Sequence, residues 1–270
     1  MTPHRSYDVG LTLLADLFFG WVLVYYGMGG LENGITLLLY FGPWAWALFG
    51  LVVCLLFWPT TQAGNNWRND LPLFLAGWLL GYWGEWWGTT RGVWTYWNGA
   101  TPPEYLPPLW GLGLLTVYRL AGILQPLFAR PLPRWSRWLM ASSFVALPAA
   151  AVLARLPLLL AIDWRGRLDG HFWAGLLAGA ALIAYRFDLR RAFPLYLCGM
   201  LLGGLYETLG TVMGEWAYIT GEQPPVWIVP LWGLAAVAMT SLAELLRRAV
   251  RQTWRMAGGV LRPEGRRQIA

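Results

Sequence analysis

The chain has 270 residues, of which 57% are hydrophobic and only 13% are charged, and its formal net charge is +6. A soluble domain carries about 25% charged residues, so this composition indicates an integral membrane protein. The basic residues, all arginine, gather in loops and in the C-terminal tail. The tendency of cytoplasmic loops to be positive explains that pattern better than nucleic-acid binding does.

Eight apolar stretches follow one another along the chain, and a bilayer-crossing helix needs about 20 such residues. A hinge rich in proline and arginine, at 126–137, separates a first half at 1–125 from a second half at 138–248, and a basic tail follows at 249–270. We therefore expect an all-α membrane protein made of two tandem parallel four-helix repeats. The predicted spans are 9–28, 34–57, 71–88, 107–124, 138–162, 172–185, 193–210 and 226–246.

Arginine placement predicts the orientation of these spans. The N-terminal segment, the hinge, the loop after 185 and the tail carry most of the arginines, so we expect them, and both termini, on the cytoplasmic side of the inner membrane. The tail either lies on the anionic inner leaflet as an interfacial helix or is a solvated polar end.

An internal duplication underlies the two halves. Shifted by 122 residues, segment 72–112 aligns with 194–234 without a gap, and 21 of 41 positions are identical. Both copies read Leu-Leu-Gly, then Glu, Gly-Thr, Gly, Trp-x-Tyr, Gly-x-x-Pro-Pro and Pro-Leu-Trp-Gly-Leu. The copies should therefore place the same side chains at the same depth.

Glu85 and Glu207 are the main candidates for chemistry, because a carboxylate inside a span costs about 2.5–3.5 kcal/mol to insert and is a functional candidate by default. Thr89 and Thr211 lie one helical turn further on, within reach of the carboxyl groups. The alternative is that each glutamate is a structural anchor, bonded to the loop backbone or to an indole of its own copy.

Aromatic residues accompany each glutamate. An acid beside aromatic rings suits protonation of an alkene, since the ring faces stabilise the resulting cation. Many of these rings could equally form the interfacial belt common in membrane proteins. The candidates for catalysis, beside the glutamates, are Tyr96 and Tyr218, and those for substrate binding, beside the threonines, are Trp94, Trp216, Trp110, Trp232 and Arg91.

Asp16 and Arg119 fall inside predicted spans at compatible depths, so we expect them to form an ion pair. Two histidines and two separated cysteines offer too few ligands for an imidazole or thiolate metal site, and we expect neither a metal nor a cofactor.

In the order Glu, Gly, Gly-x-Trp-x-Tyr, Pro, Pro-Leu-Trp, the repeated segments resemble membrane enzymes of carotenoid biosynthesis, of the bisanhydrobacterioruberin-hydratase type, and more distantly the polytopic lycopene cyclases. The resemblance implies acid-initiated addition to, or cyclisation of, a long polyisoprenoid. It would assign roles to Glu85, Tyr96, Pro108 and Trp110, or to Glu207, Tyr218, Pro230 and Trp232.

The sequence favours two functions over a transporter built on parallel repeats, because no pair of Gly- or Pro-broken helices is evident at mid-membrane. The first is a membrane enzyme that acts on a polyisoprenoid, carotenoid or other lipid, with Glu85 or Glu207 as general acid. The second is a non-catalytic membrane subunit that binds pigment, quinone or lipid and docks with partner membrane subunits.

Overall fold

The computed structural model describes residues 67–129, 133–185 and 187–260. The predicted spans 9–28 and 34–57, together with Asp16, lie outside these residues. The described part of the chain contains helices α1 (Trp67–Thr90), α2 (Leu106–Ala129), α3 (Arg134–Leu153), α4 (Leu156–Ala161), α5 (Gly170–Ala184), α6 (Leu189–Val212) and α7 (Ile228–Val260), with strands β1 (Trp94–Tyr96) and β2 (Trp216–Tyr218).

Four of the described helices, α2, α3, α6 and α7, are long and apolar enough to cross a membrane. Helix α5 is apolar but shorter, and α1, which contains Arg68, Asp70 and Glu85, is not among the four. The prediction of a mainly helical chain with membrane-crossing helices is confirmed at this level.

Helices α1, α2, α6 and α7 form a four-helix core in which α1 contacts α2 and α7, and α6 contacts α7 and α2. Glycines allow the close crossings. A methyl group on Gly77 would lie 2.7 Å from the carbonyl oxygen of Trp110, and one on Gly199 would lie 2.8 Å from that of Trp232. Helices in lipid rely on such small residues to approach, because burial from water gives them no driving force there.

Helices α3 to α5 flank this core. Helix α3 packs on α6, where Phe144 stacks on Tyr196 with a ring separation of 4.5 Å, and α5 packs on α1, where Phe172 contacts Trp87 at 5.2 Å. The single predicted span at 138–162 is wrong in one respect, since the helix breaks between Leu153 and Leu156. Proline in the first turn of α4 explains the break, because its ring clashes with a preceding turn of helix.

Two short strands were not predicted. Two residues beyond the ends of α1 and α6 stand glycines with positive φ, Gly92 at +62° and Gly214 at +75°, a backbone conformation that glycine adopts without a Cβ clash. The strands that follow pair antiparallel, with Trp94 opposite Tyr218 and Tyr96 opposite Trp216. The two copies are thus joined by a ribbon, and the all-α prediction needs this correction.

The helices of the structure extend into the predicted hinge at 126–137 and into the predicted tail at 249–270. Helix α2 continues to Ala129 and α3 begins at Arg134, so both ends of the predicted hinge at 126–137 are helical. Helix α7 continues to Val260, so the predicted basic tail at 249–270 begins inside a helix.

Candidate functional site: two glutamate clamps

Glu85 is buried, with 6% of its surface exposed, on the face of α1 near the ribbon. Its Oε2 accepts hydrogen bonds from the Nε1 of Trp94 at 3.0 Å and from the hydroxyl of Tyr96 at 2.9 Å. Its Oε1 accepts one from the Nε1 of Trp110 at 3.0 Å. We call these four residues the first clamp. One helix, one strand and the next helix all converge on a single carboxylate.

Glu207 forms a second clamp with nearly the same geometry. Its Oε2 accepts from Trp216 Nε1 at 3.0 Å and from the Tyr218 hydroxyl at 2.8 Å, and its Oε1 accepts from Trp232 Nε1 at 2.9 Å. Glu207 is 5% exposed. Charge-assisted hydrogen bonds are among the stronger ones, and three donors on each buried carboxylate compensate for its removal from water.

Glycines leave space for the indole rings of the clamps. A Cβ on Gly88 would lie 2.0 Å from the Trp94 ring, and one on Gly210 would lie 1.8 Å from the Trp216 ring. Gly81 gives the same room to Trp110, where the distance would be 2.3 Å. These three glycines are therefore part of the clamps, because a side chain at any of them would occupy the space of an indole ring.

The two clamps are in contact with each other. The rings of Trp110 and Trp232 stack with their centroids 4.1 Å apart and their planes 8° from parallel. Across the ribbon, Trp94 contacts Tyr218 and Tyr96 contacts Trp216, each with a centroid distance of 5.8 Å. The donors to one carboxylate thus pack on the donors to the other, and the contact between the clamps is aromatic.

Tyr96 and Tyr218 lie in the ribbon, and burial raises the pKa of both hydroxyls well above the ordinary value of 10.0, with further contributions from the neighbouring carboxylates. Both phenols therefore stay protonated at physiological pH and remain hydrogen-bond donors to the glutamates.

The two threonines that were predicted to bind the carboxyl groups bind the helix backbone instead. The hydroxyls of Thr89 and Thr211 donate to the main-chain carbonyls of Glu85 and Glu207, at 2.6 and 2.7 Å, rather than to the carboxyl groups as the spacing had suggested. Hydroxyls in helices commonly bond four residues back in this way. The threonine side chains therefore hydrogen-bond within their helices and are not part of the clamps.

Arg91 lies outside both clamps. Its guanidinium pairs with Asp169, the residue that caps the N-terminus of α5. The backbone N–H of Phe172 contributes most to lowering the pKa of Asp169 to about 2, and His171 and Arg91 contribute further. This pair ties the end of α1 to the start of α5.

Arg119 has a partner that the sequence analysis missed. Its Nη2 lies 3.3 Å from Asp70 Oδ2, and the two side chains are 3% and 6% exposed. The predicted partner, Asp16, lies outside the described residues. Asp70 stands in the first turn of α1, and the second copy has Ala192 and Ser241 at the equivalent positions, so this buried pair belongs to the first copy alone.

The described residues contain no group of three histidine, cysteine, aspartate or glutamate side chains that could hold a metal ion. No family model matches the chain, and neither a curated protein nor a solved structure matches it. The resemblance to carotenoid-biosynthesis enzymes stays a prediction.

Proposed function

We propose that this protein is a non-catalytic, multi-pass subunit of the inner membrane, which binds pigment, quinone or lipid and docks with partner membrane subunits. In this proposal the two tandem four-helix repeats form a scaffold that the clamps hold together. The observation that carries it is that all four carboxyl oxygens of the two glutamates accept hydrogen bonds from side chains of their own copy.

The acid-catalysis alternative needs a carboxyl group that directs a proton toward a substrate at hydrogen-bonding distance. In each clamp, two indole N–H groups and one phenol point their hydrogens at the carboxylate instead. An indole N–H can only donate, so both tryptophans require the glutamate as an acceptor. The clamps therefore favour the structural-anchor interpretation over the general acid.

The internal duplication gives a second reason to interpret the glutamates as structural anchors. A catalytic site needs one working glutamate, and a second copy would be free to lose donors. Here both copies keep all three donors at distances that agree within 0.1 Å, for example 2.9 Å from Tyr96 and 2.8 Å from Tyr218. A pair of anchors on the two sides of one ribbon explains why the sets are equal.

Helix directions support the proposed orientation. The ribbon lies at the C-terminal ends of α1 and α6, so the opposite end of the core contains the start of α6 and the end of α7. Arg190, Arg191, Arg247, Arg248 and Arg251 all lie at that opposite end. We place it at the cytoplasmic face and the ribbon at the outer face.

The test is purification of the native protein from its own membranes in mild detergent, followed by mass spectrometry of every chain and small molecule that remains bound. We expect partner membrane chains at fixed stoichiometry. Recovery of a polyisoprenoid at near-equal amount, without partner chains, would contradict the proposal and favour the enzyme.

A further inference from the structure

A shallow groove at the basic end of the bundle has the chemistry of a lipid-binding site. Two arginines, Arg134 and Arg137, stand in the first turn of α3 and line one side of it. Trp138 and Ala141 continue the lining along α3, and Leu189 closes it from the start of α6. The groove therefore combines two cations with an apolar wall.

The two guanidinium groups have no ion-pair partner within the described residues. The nearest acid in sequence to the groove wall is Asp188, and it is engaged, since its carboxylate accepts from the backbone N–H of Arg190 and pairs with Arg191 at 3.7 Å. A pair of arginines facing an open groove without a carboxylate is electrostatically complementary to a phosphate, and the planar guanidinium binds phosphate oxygens two at a time.

The wall of the groove argues for a lipid rather than a free anion. Trp138 is 76% exposed and Trp135, nearby on α3, is 70% exposed. Indoles prefer the boundary between lipid headgroups and acyl chains, which matches their place at the end of a membrane-crossing helix. A phosphate between the arginines would leave its acyl chains to run along Ala141 and Leu189.

We propose that this groove, lined by Arg134, Arg137, Trp138, Ala141 and Leu189, binds the headgroup of an anionic phospholipid of the inner leaflet. The proposal rests on the membrane orientation given under the proposed function and not on the absence of catalysis. A failure of lipid binding therefore leaves the partner-chain experiment unaffected, and the reverse also holds.

The test compares the affinity of the full-length protein for phosphatidylglycerol and phosphatidylcholine with matched acyl chains, measured by native mass spectrometry from detergent micelles. An arginine near an anionic lipid contributes about fivefold in affinity, so the double variant Arg134→Gln/Arg137→Gln should lose about 30-fold for phosphatidylglycerol. Its affinity for phosphatidylcholine should change little.

A matched control removes the same charge from the same end without touching the groove. Arg190 and Arg251 are exposed and do not line it, so Arg190→Gln/Arg251→Gln should lose much less affinity for phosphatidylglycerol than the groove variant does. Equal losses in the two double variants would overturn the site, because general charge would then account for binding. Displacement of the lipid by millimolar inorganic phosphate would also overturn it, since a free anion would then be the better ligand.

Discussion

The contact between the Trp94 ring and Gly88 of α1 provides a direct test of the first clamp. A Cβ on Gly88 would lie 2.0 Å from the Cη2 of Trp94. Carbon atoms in contact are about 3.5–4.0 Å apart, so Gly88→Ala must push the indole away by about 1.5 Å or more. That movement lengthens the bond from Trp94 Nε1 to Glu85, which is 3.0 Å in the structure, beyond hydrogen-bonding range.

The expected cost follows from three contributions. Overpacking a filled site costs about 1–3 kcal/mol. A lost hydrogen bond to a charged group costs about 1.5–3 kcal/mol. Alanine in a helix regains about 1 kcal/mol over glycine. The net loss in the free energy of unfolding is therefore about 3 kcal/mol, or roughly 6–12 °C in melting temperature for a domain of this size.

Gly84 supplies the matched control, because it lies one turn earlier on the same helix and a Cβ there would meet no atom of the described residues within 4 Å. We expect Gly84→Ala to leave the melting temperature of the detergent-solubilised protein unchanged or to raise it. Both variants would be followed by thermal melts of the full-length chain. Equal melting temperatures for Gly88→Ala and Gly84→Ala would show that the Trp94 ring does not need the space at Gly88.

A double-mutant cycle isolates the contact between Gly88 and the Trp94 ring. In a Trp94→Ala background the ring is absent, so adding Gly88→Ala should cost nothing and should recover the helix-propensity gain. If Gly88→Ala costs the same with and without the indole, the glycine is required for another reason.

Three further outcomes follow from the site. Arg119→Met removes one hydrogen-bonded partner of the buried Asp70 carboxylate and should destabilise by about 1.5–3 kcal/mol, and the same change should cost less in an Asp70→Leu background; a Tm that the single change leaves unaltered would argue against the pair. The pKa of Asp169 is lowered from 3.8 to about 2, so its stabilising contribution is present above pH 3.8 and is lost as the pH falls through about 2; acid melts should show this loss in the wild type and not in Asp169→Asn. Trp110→Phe retains a ring but removes the donor to Glu85 Oε1, and should lower stability by about 1.5–3 kcal/mol in the same melts, whereas wild-type stability would mean that this bond contributes nothing.

Much of the clamp could be predicted from the sequence, because a gapless duplication keeps spacing and spacing decides which residues meet. Glu85, Trp94, Tyr96 and Trp110 were all candidates on that ground, and the structure brings these four together. Their mutual contact was predicted only as one alternative, that of an anchor bonded to an indole of its own copy.

The features that the sequence did not reveal depend on pairing between distant segments. A strand of three residues has no detectable periodicity, and β1 exists because β2, from the other copy, lies beside it. Likewise, the sequence did not indicate that Asp70 pairs with Arg119, because the two residues are 49 positions apart and only the fold brings them together. Apolar stretches predicted the ends of the described helices within five residues, except that α7 continues to Val260 instead of ending near 246. The break at Pro157 shows that length alone does not distinguish one span from two helices.

The anchoring role of the two glutamates is tested by the melting temperatures of Glu85→Gln and Glu207→Gln, with the exposed Glu104→Gln as control. Glutamine preserves shape but turns one acceptor oxygen into a donor that faces an N–H or O–H group, at a cost of about 2 kcal/mol or more. We expect both clamp variants to melt several degrees lower, by similar amounts, and the control to melt like the wild type. Unchanged melting temperatures, accompanied by loss of turnover of a lipid substrate, would show that the glutamates are catalytic and not structural anchors.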